Sequence, residues 1–222
     1  MDFLLYFYGA IILGIAGVVF FITSLFLIKE KFGKILLGIS IILLIPISFF
    51  LFSFLQENID YWNTLSPMQK AIARNKCDKV KKIIEEGYNL NEENDYISPP
   101  TPLTYAIDKG NIKIIKLLVE SGADINFVTN NNPQLNFPLG CAIFTGDTAI
   151  VNYLLEKGAD VSTKVYSYPV EIAIRSYKPN SLEVIKSLVK YGADINTNNG
   201  TPLSEAMSPY NHDYDIAYYL LE

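Results

Sequence analysis

The sequence predicts an all-α chain in two parts: a two-helix transmembrane hairpin over residues 1–56 and, beyond a connector at 57–65, a solenoid of about five helix-pair units over 66–222. Three observations carry this expectation. Two long uncharged apolar runs open the chain, five openers with proline recur at nearly constant spacing, and Gly-Ala-Asp closes three of the intervals. Self-similarity at a period in the thirties marks stacked supersecondary units, each unable to bury its apolar face alone.

The first run, Leu4 to Ile28, reads LLYFYGAIILGIAGVVFFITSLFLI, and the second, Ile35 to Leu55, reads ILLGISIILLIPISFFLFSFL. As helices they rise about 37 and 31 Å, enough to cross a hydrocarbon layer of roughly 30 Å. The intervening KEKFGK, Lys29 to Lys34, has room only for a tight reversal. No basic segment precedes the first run and no Ala-x-Ala-like site follows it, so it reads as an uncleaved anchor rather than a signal peptide. Ala10, Gly14, Gly17 and Gly38 offer small surfaces for close helix packing. Lys29, Lys31 and Lys34 favour a cytoplasmic loop. The expected localisation is a multi-pass protein of the bacterial inner membrane, with the repeats in the periplasm and lipid contacts through residues 4–55.

Beyond QENIDYW, the pairs Ser66-Pro67, Thr101-Pro102, Phe137-Pro138, Tyr168-Pro169 and Thr201-Pro202 follow at spacings of 35, 36, 31 and 33 residues. In the second unit Thr101 is expected to cap a helix whose first turn holds Pro102, where a missing N–H costs nothing. Leu103 and Ala106 face inward, Gly110 permits a reversal, and Ile114, Ile115, Leu118 and Val119 form the apolar stripe of a second helix. Gly122 suits the left-handed position after that helix, and Asp and Asn beyond it form a turn. The third unit repeats the plan in LGCAIFTGDTAIVNYLLEKGAD, Leu139 to Asp160. Ala71, Ala106, Ala142, Ala173 and Ala206 each fall four residues after the opener proline, where a small side chain lets helices approach. The two cysteines, Cys77 and Cys141, read as small buried residues; they form no metal or redox motif.

These features, clearest in TPLTYAIDKGNIKIIKLLVESGADIN, Thr101 to Asn126, and in GADINTNNGTPLSEA, Gly192 to Ala206, resemble the ankyrin-repeat family over residues 62–222. The resemblance implies antiparallel helix pairs and projecting turns on a curved binding scaffold, usually without catalysis. The family often has His after the Thr-Pro-Leu opener; Gln69, Thr104, Gly140, Glu171 and Ser204 stand there instead, so each unit must find other hydrogen bonds or use none. NEENDYISPP and FVTNNNPQLN lengthen two turns, and RSYKPNS widens the helix separation in the fourth unit.

In the resembled architecture, turns and first-helix surfaces line the concave side. The expected protein-binding residues are Tyr96, Tyr105, Lys109, Phe127, Tyr166, Tyr168, Arg175 and Glu205, with Lys70, Cys141 and Ile172 matched to the outward position of Tyr105 and Glu205. Aromatic anchors among polar contacts suit a protein or peptide better than a small metabolite. Lys79, Lys81 and Lys82 read as a wet helix face; with Arg74 they would meet lipid phosphates only if the first unit lay against a bilayer.

Eighteen Lys and Arg against 23 Asp and Glu leave a net charge of -5, which argues against a nucleic-acid partner. His212, Asp213 and Asp215 lack the donors of a zinc site, and no nucleophile elbow, phosphate-binding loop or H-E-x-x-H motif occurs, so neither enzyme activity nor a cofactor is expected. The expected function is that of a membrane-anchored protein-binding scaffold. Two narrower expectations are an immunity protein that inhibits a secreted or periplasmic toxin by direct binding, and a structural accessory subunit of a membrane complex.

Overall fold

The computed structural model describes residues 50, 53–54, 56–129, 137–164, 167–208 and 214–222, without the side chains of residues 198 and 199. The chain divides into two compact units, Met1–Asn63 and Thr64–Glu222. Described residues 56–63 of the first unit are helical, where a connector was expected; Gln56 donates to Asp60 Oδ1 at 3.1 Å one turn on.

The expected multi-pass membrane localisation is corrected. Among the described residues no helix is long and apolar enough to cross a membrane, and the two expected spans, 4–28 and 35–55, fall almost wholly outside the described residues. Every described helix of the second unit is short; the first helices at 102–108, 138–145 and 169–175 are buried over six consecutive residues, while the second helices at 112–120 and 181–190 bury one face. The longest have ten residues, about 15 Å of rise.

Within Thr64–Glu222 the helices come in pairs. The pairs are α1 Pro67–Ala73 with α2 Cys77–Glu85, α3 Pro102–Asp108 with α4 Ile112–Glu120, α5 Pro138–Thr145 with α6 Thr148–Glu156, α7 Pro169–Arg175 with α8 Ser181–Lys190, and α9 Thr197–Ala206 with α10 Tyr214–Leu221. Each first helix packs on the next, from α1 through α9, while α2 packs on α4 and α6 on α8. Ala71, Ala106, Ala142, Ala173 and Ala206 are at most 1% exposed, at the seams expected for small residues. Ile114, Ile115 and Leu118 on α4 and Ile150, Val151 and Leu154 on α6 are fully buried, each side chain contributing about 1.5 to 3 kcal/mol on leaving water.

Reciprocal side-chain capping starts α1 and α3, whereas α5 has no side-chain cap at Phe137. Thr101 Oγ1 accepts from Thr104 N at 3.2 Å and Thr104 Oγ1 accepts from Thr101 N at 3.1 Å, with Pro102 at the first helical position. Ser66 and Gln69 form the same reciprocal box at α1. The fifth unit departs from expectation. Helix α9 begins at Thr197, so Pro202 lies inside it. Gly200 sits at φ +86 within that span, so the Thr201-Pro202 opener still marks a fresh start.

The residues standing where histidine was the family expectation each solve the local problem differently. Gln69, 1% exposed, donates to Pro100 O at 3.0 Å and accepts from Asn94 Nδ2 at 2.8 Å. Asn94 also reaches Thr64 O at 2.7 Å, pinning the long NEENDYISPP turn to the start of the stack. Glu171, equally buried, accepts from Tyr168 N at 3.4 Å and from Thr197 Oγ1 at 3.3 Å. Gly140 has no side chain because the Phe137 ring is there: an added Cβ would lie 2.7 Å from Phe137 Cε1. Ser204 only back-bonds to Thr201 O at 2.9 Å.

Candidate functional site

Two ladders fix the ends of the helix pairs. At the turn end, Asn91 Oδ1 accepts from Asp124 N and Asn126 Oδ1 from Asp160 N, both at 2.9 Å, linking three successive units. Within each turn the carboxylate folds back on its own backbone: Asp124 Oδ1 accepts from Asn126 N, and Asp160 Oδ1 from Ser162 N. The hydroxyls of Ser162 and Thr163 also donate to Asp160 and hold its carboxyl below the usual range. The first unit has Tyr88 where later units have alanine. Its phenol bonds to Ser66 Oγ at 3.2 Å, and burial pushes it up to about 12.

At the other end the first helix stops and the chain turns into the second. Asn111 Nδ2 donates to Asn75 Oδ1 at 2.6 Å across the first two units, and Asn180 Nδ2 donates to Gly146 O across the third and fourth. Beside these links stand Lys109, the C-cap of α3, whose Nζ lies 5.0 Å from the Tyr105 ring centre, and Phe144, with Lys178 Nζ at 6.0 Å. Phe144, Tyr177 and Met207 are 42, 62 and 60% exposed. These three were missed by the sequence reading. Their signal was available: each is a large apolar side chain just past a small buried alanine, at the end of a first helix.

Of the expected binding residues, Tyr166 lies outside the described residues. Tyr105 is corrected: it is 1% exposed, and the matched Cys141 and Ile172 are 0 and 8% exposed. The reason is geometric, since successive first helices stack directly on one another and this position faces the neighbouring first helix. Cys141 Sγ accordingly meets Thr104 O at 3.5 Å, and burial pushes its thiol up. Cys77 is only partly buried.

Arg175 and Glu205 are brought together. Arg175 Nε and Nη2 both donate to Glu205 Oε1, the former at 2.9 Å, and Nη1 donates to Ser167 Oγ. The pair joins the fourth unit to the fifth, and the bond to Glu205 leads the causes that raise the Arg175 guanidinium above its ordinary value. Tyr96, 83% exposed, and the half-buried Phe127 and Tyr168 lie at the turn end, the last under Lys164 Nζ at 5.1 Å. A first helix of seven residues spans about 10 Å. Lys109 therefore stands at an exit, and Tyr96, Phe127 and Tyr168 at the opposite, turn end of the first helices. His212 and Asp213 lie outside the described residues.

A family model described as ankyrin repeats, in three copies, matches residues 68–165. No curated protein matches the chain at a level that marks relatedness. Units four and five, beyond the match, repeat the same helix pairing. Ankyrin repeats suggest a protein–protein interaction scaffold, and proteins of that family are typically non-enzymatic.

Proposed function

We propose that the stack binds a protein partner through the row of first-helix exits, with Lys109, Phe144, Tyr177 and Met207 as its principal contacts. Tyr96, Phe127 and Tyr168 form a second strip at the turns. The observation that carries this reading is the exposure of Phe144, Tyr177 and Met207 at the successive exits of the third, fourth and fifth units, the first two of these exits joined by the bond from Asn180 to Gly146 O. Exposed aromatic and thioether side chains beside lysines combine apolar anchors with an orienting polar rim. A scaffold already fixed by hydrogen bonds loses little conformational freedom when it binds.

The test places a photo-crosslinking residue at Phe144 or Tyr177 of the full chain in its native cells, with Lys113 and Lys186 on the second helices as control positions. One partner captured from both exits and from neither control supports the reading. Capture from the second helices alone contradicts it. Masking a toxin and assembling a complex are two uses of one contact, and the identity of the captured protein separates them.

A further inference from the structure

Six of the 18 basic residues, Lys70, Arg74, Lys76, Lys79, Lys81 and Lys82, fall within thirteen positions of a chain whose net charge is -5, and Asp78 is the only acid among them. The fold divides this group. Lys81 and Lys82 point along α2 to Glu85 and Glu86 at 3.9 and 3.8 Å, on an exposed surface. The other four, with Ala71 and Asp78, line a depression of about 360 Å³ where α1 turns into α2. Ala71, 1% exposed, lies among them. Lys70, Lys76 and Lys79 have no ion-pair partner among the described residues, in contrast to their neighbours on α2. The wall is set in place by Asn75, held at φ 53 and bonded to Asn111 of the next unit.

We infer that this depression receives a carboxylate-bearing segment of a protein partner, one acidic side chain entering between Lys70, Arg74, Lys76 and Lys79 while flanking acids meet the rim. The inference deepens the proposed function and rests on it, because the depression lies at the first exit of the same row. Even with Arg74 set aside, three lysines against Asp78 leave an excess of two positive charges, so a neutral or basic segment gains nothing there. Ammonium groups on long stems are point charges that adapt to carboxylates without the planar match an arginine fork requires. The size suits one or two side chains, far short of the extended basic face that tracks a nucleic-acid backbone. The net acidity of the rest of the chain works with the site, since it disfavours an acidic segment over much of the remaining surface.

The test measures fluorescence polarisation of a labelled glutamate-rich peptide with the full chain. Binding should weaken at least tenfold in the triple variant Lys70→Gln, Lys76→Gln, Lys79→Gln and stay within about twofold in the charge-matched control Lys113→Gln, Lys116→Gln, Lys186→Gln. Affinity should fall as salt rises from about 50 to about 300 mM. The triple Lys→Arg variant at the pocket should retain binding, which separates loss of charge from loss of fold. Equal weakening by the two glutamine triples would reduce the effect to net charge and overturn the site. No binding at low salt would also overturn it, as would tighter pocket-dependent binding of an RNA oligonucleotide. The crosslinks at Phe144 and Tyr177 involve none of these lysines. A partner captured there with no affinity for the acidic peptide would therefore remove this site and leave the scaffold standing.

Discussion

Asn126 holds two units at once: its Oδ1 accepts the Asp160 backbone N–H at 2.9 Å while its Nδ2 donates to Gly158 O at 3.3 Å. One amide side chain therefore pairs with both a carbonyl and an N–H of the segment Gly158 to Asp160 as it enters the third turn. Asn126→Ala should lower stability by about 1 to 2 kcal/mol. In urea the midpoint should fall with an unchanged slope, since no extra surface is exposed in either state.

Asp160 makes the same turn pH-sensitive. Hydrogen bonds from Ser162 and Thr163 depress its folded value, so its contribution is present above the ordinary carboxylate range and is lost as pH falls through that depressed value. Asp160→Asn should therefore be less stable than the parent at pH 7, and the gap should close below about pH 4. Denaturation curves at several pH values would show it; a gap independent of pH would mean the carboxylate charge contributes nothing.

Gln69 is buried against the Pro100 carbonyl. Gln69→Ala should cost about 1 to 3 kcal/mol by orphaning that acceptor and removing one of the partners of Asn94. Gln69→Glu tests the same site through charge. A buried carboxyl facing a carbonyl has its folded value raised, so the variant's deficit should grow as pH rises through that value and shrink in acid. Thermal unfolding of both variants at about pH 4 and pH 7 decides this.

The contact between Gly140 and the Phe137 ring predicts a double-mutant cycle. Gly140→Ala alone should destabilise by about 1 to 3 kcal/mol through overpacking. With Phe137→Thr, which restores the opener found in the second and fifth units, adding the alanine methyl should cost much less. Additive effects would mean the ring is not what excludes a side chain there.

Much of the stack was legible in its residues. Proline openers, small alanines and glycines after second helices each carry a local backbone or packing requirement, so the helix pairs follow from them directly. Tyr105 was misread because its burial depends on the neighbouring first helices, and nothing within its own unit states that. Pro202 misled in the other direction: it marks the opener, yet Gly200 allows a helical turn before it. Asn91 and Asn126 carry the inter-unit links at the turn end, but an asparagine in a turn looks the same in sequence whether it bonds locally or to the next unit. The exit row was half visible, through Lys109. Phe144, Tyr177 and Met207 were missed, because the exposure of a side chain at a helix exit is set by the neighbouring units.

The most direct test of binding at the exits is hydrogen exchange of the full chain, free and bound to the partner captured at Phe144. The account predicts slowed exchange at residues 108–110, 144–147 and 175–178, with α4 and α6 unchanged along their outer faces. Protection confined to the second helices, with the exits exchanging as in the free protein, would contradict it.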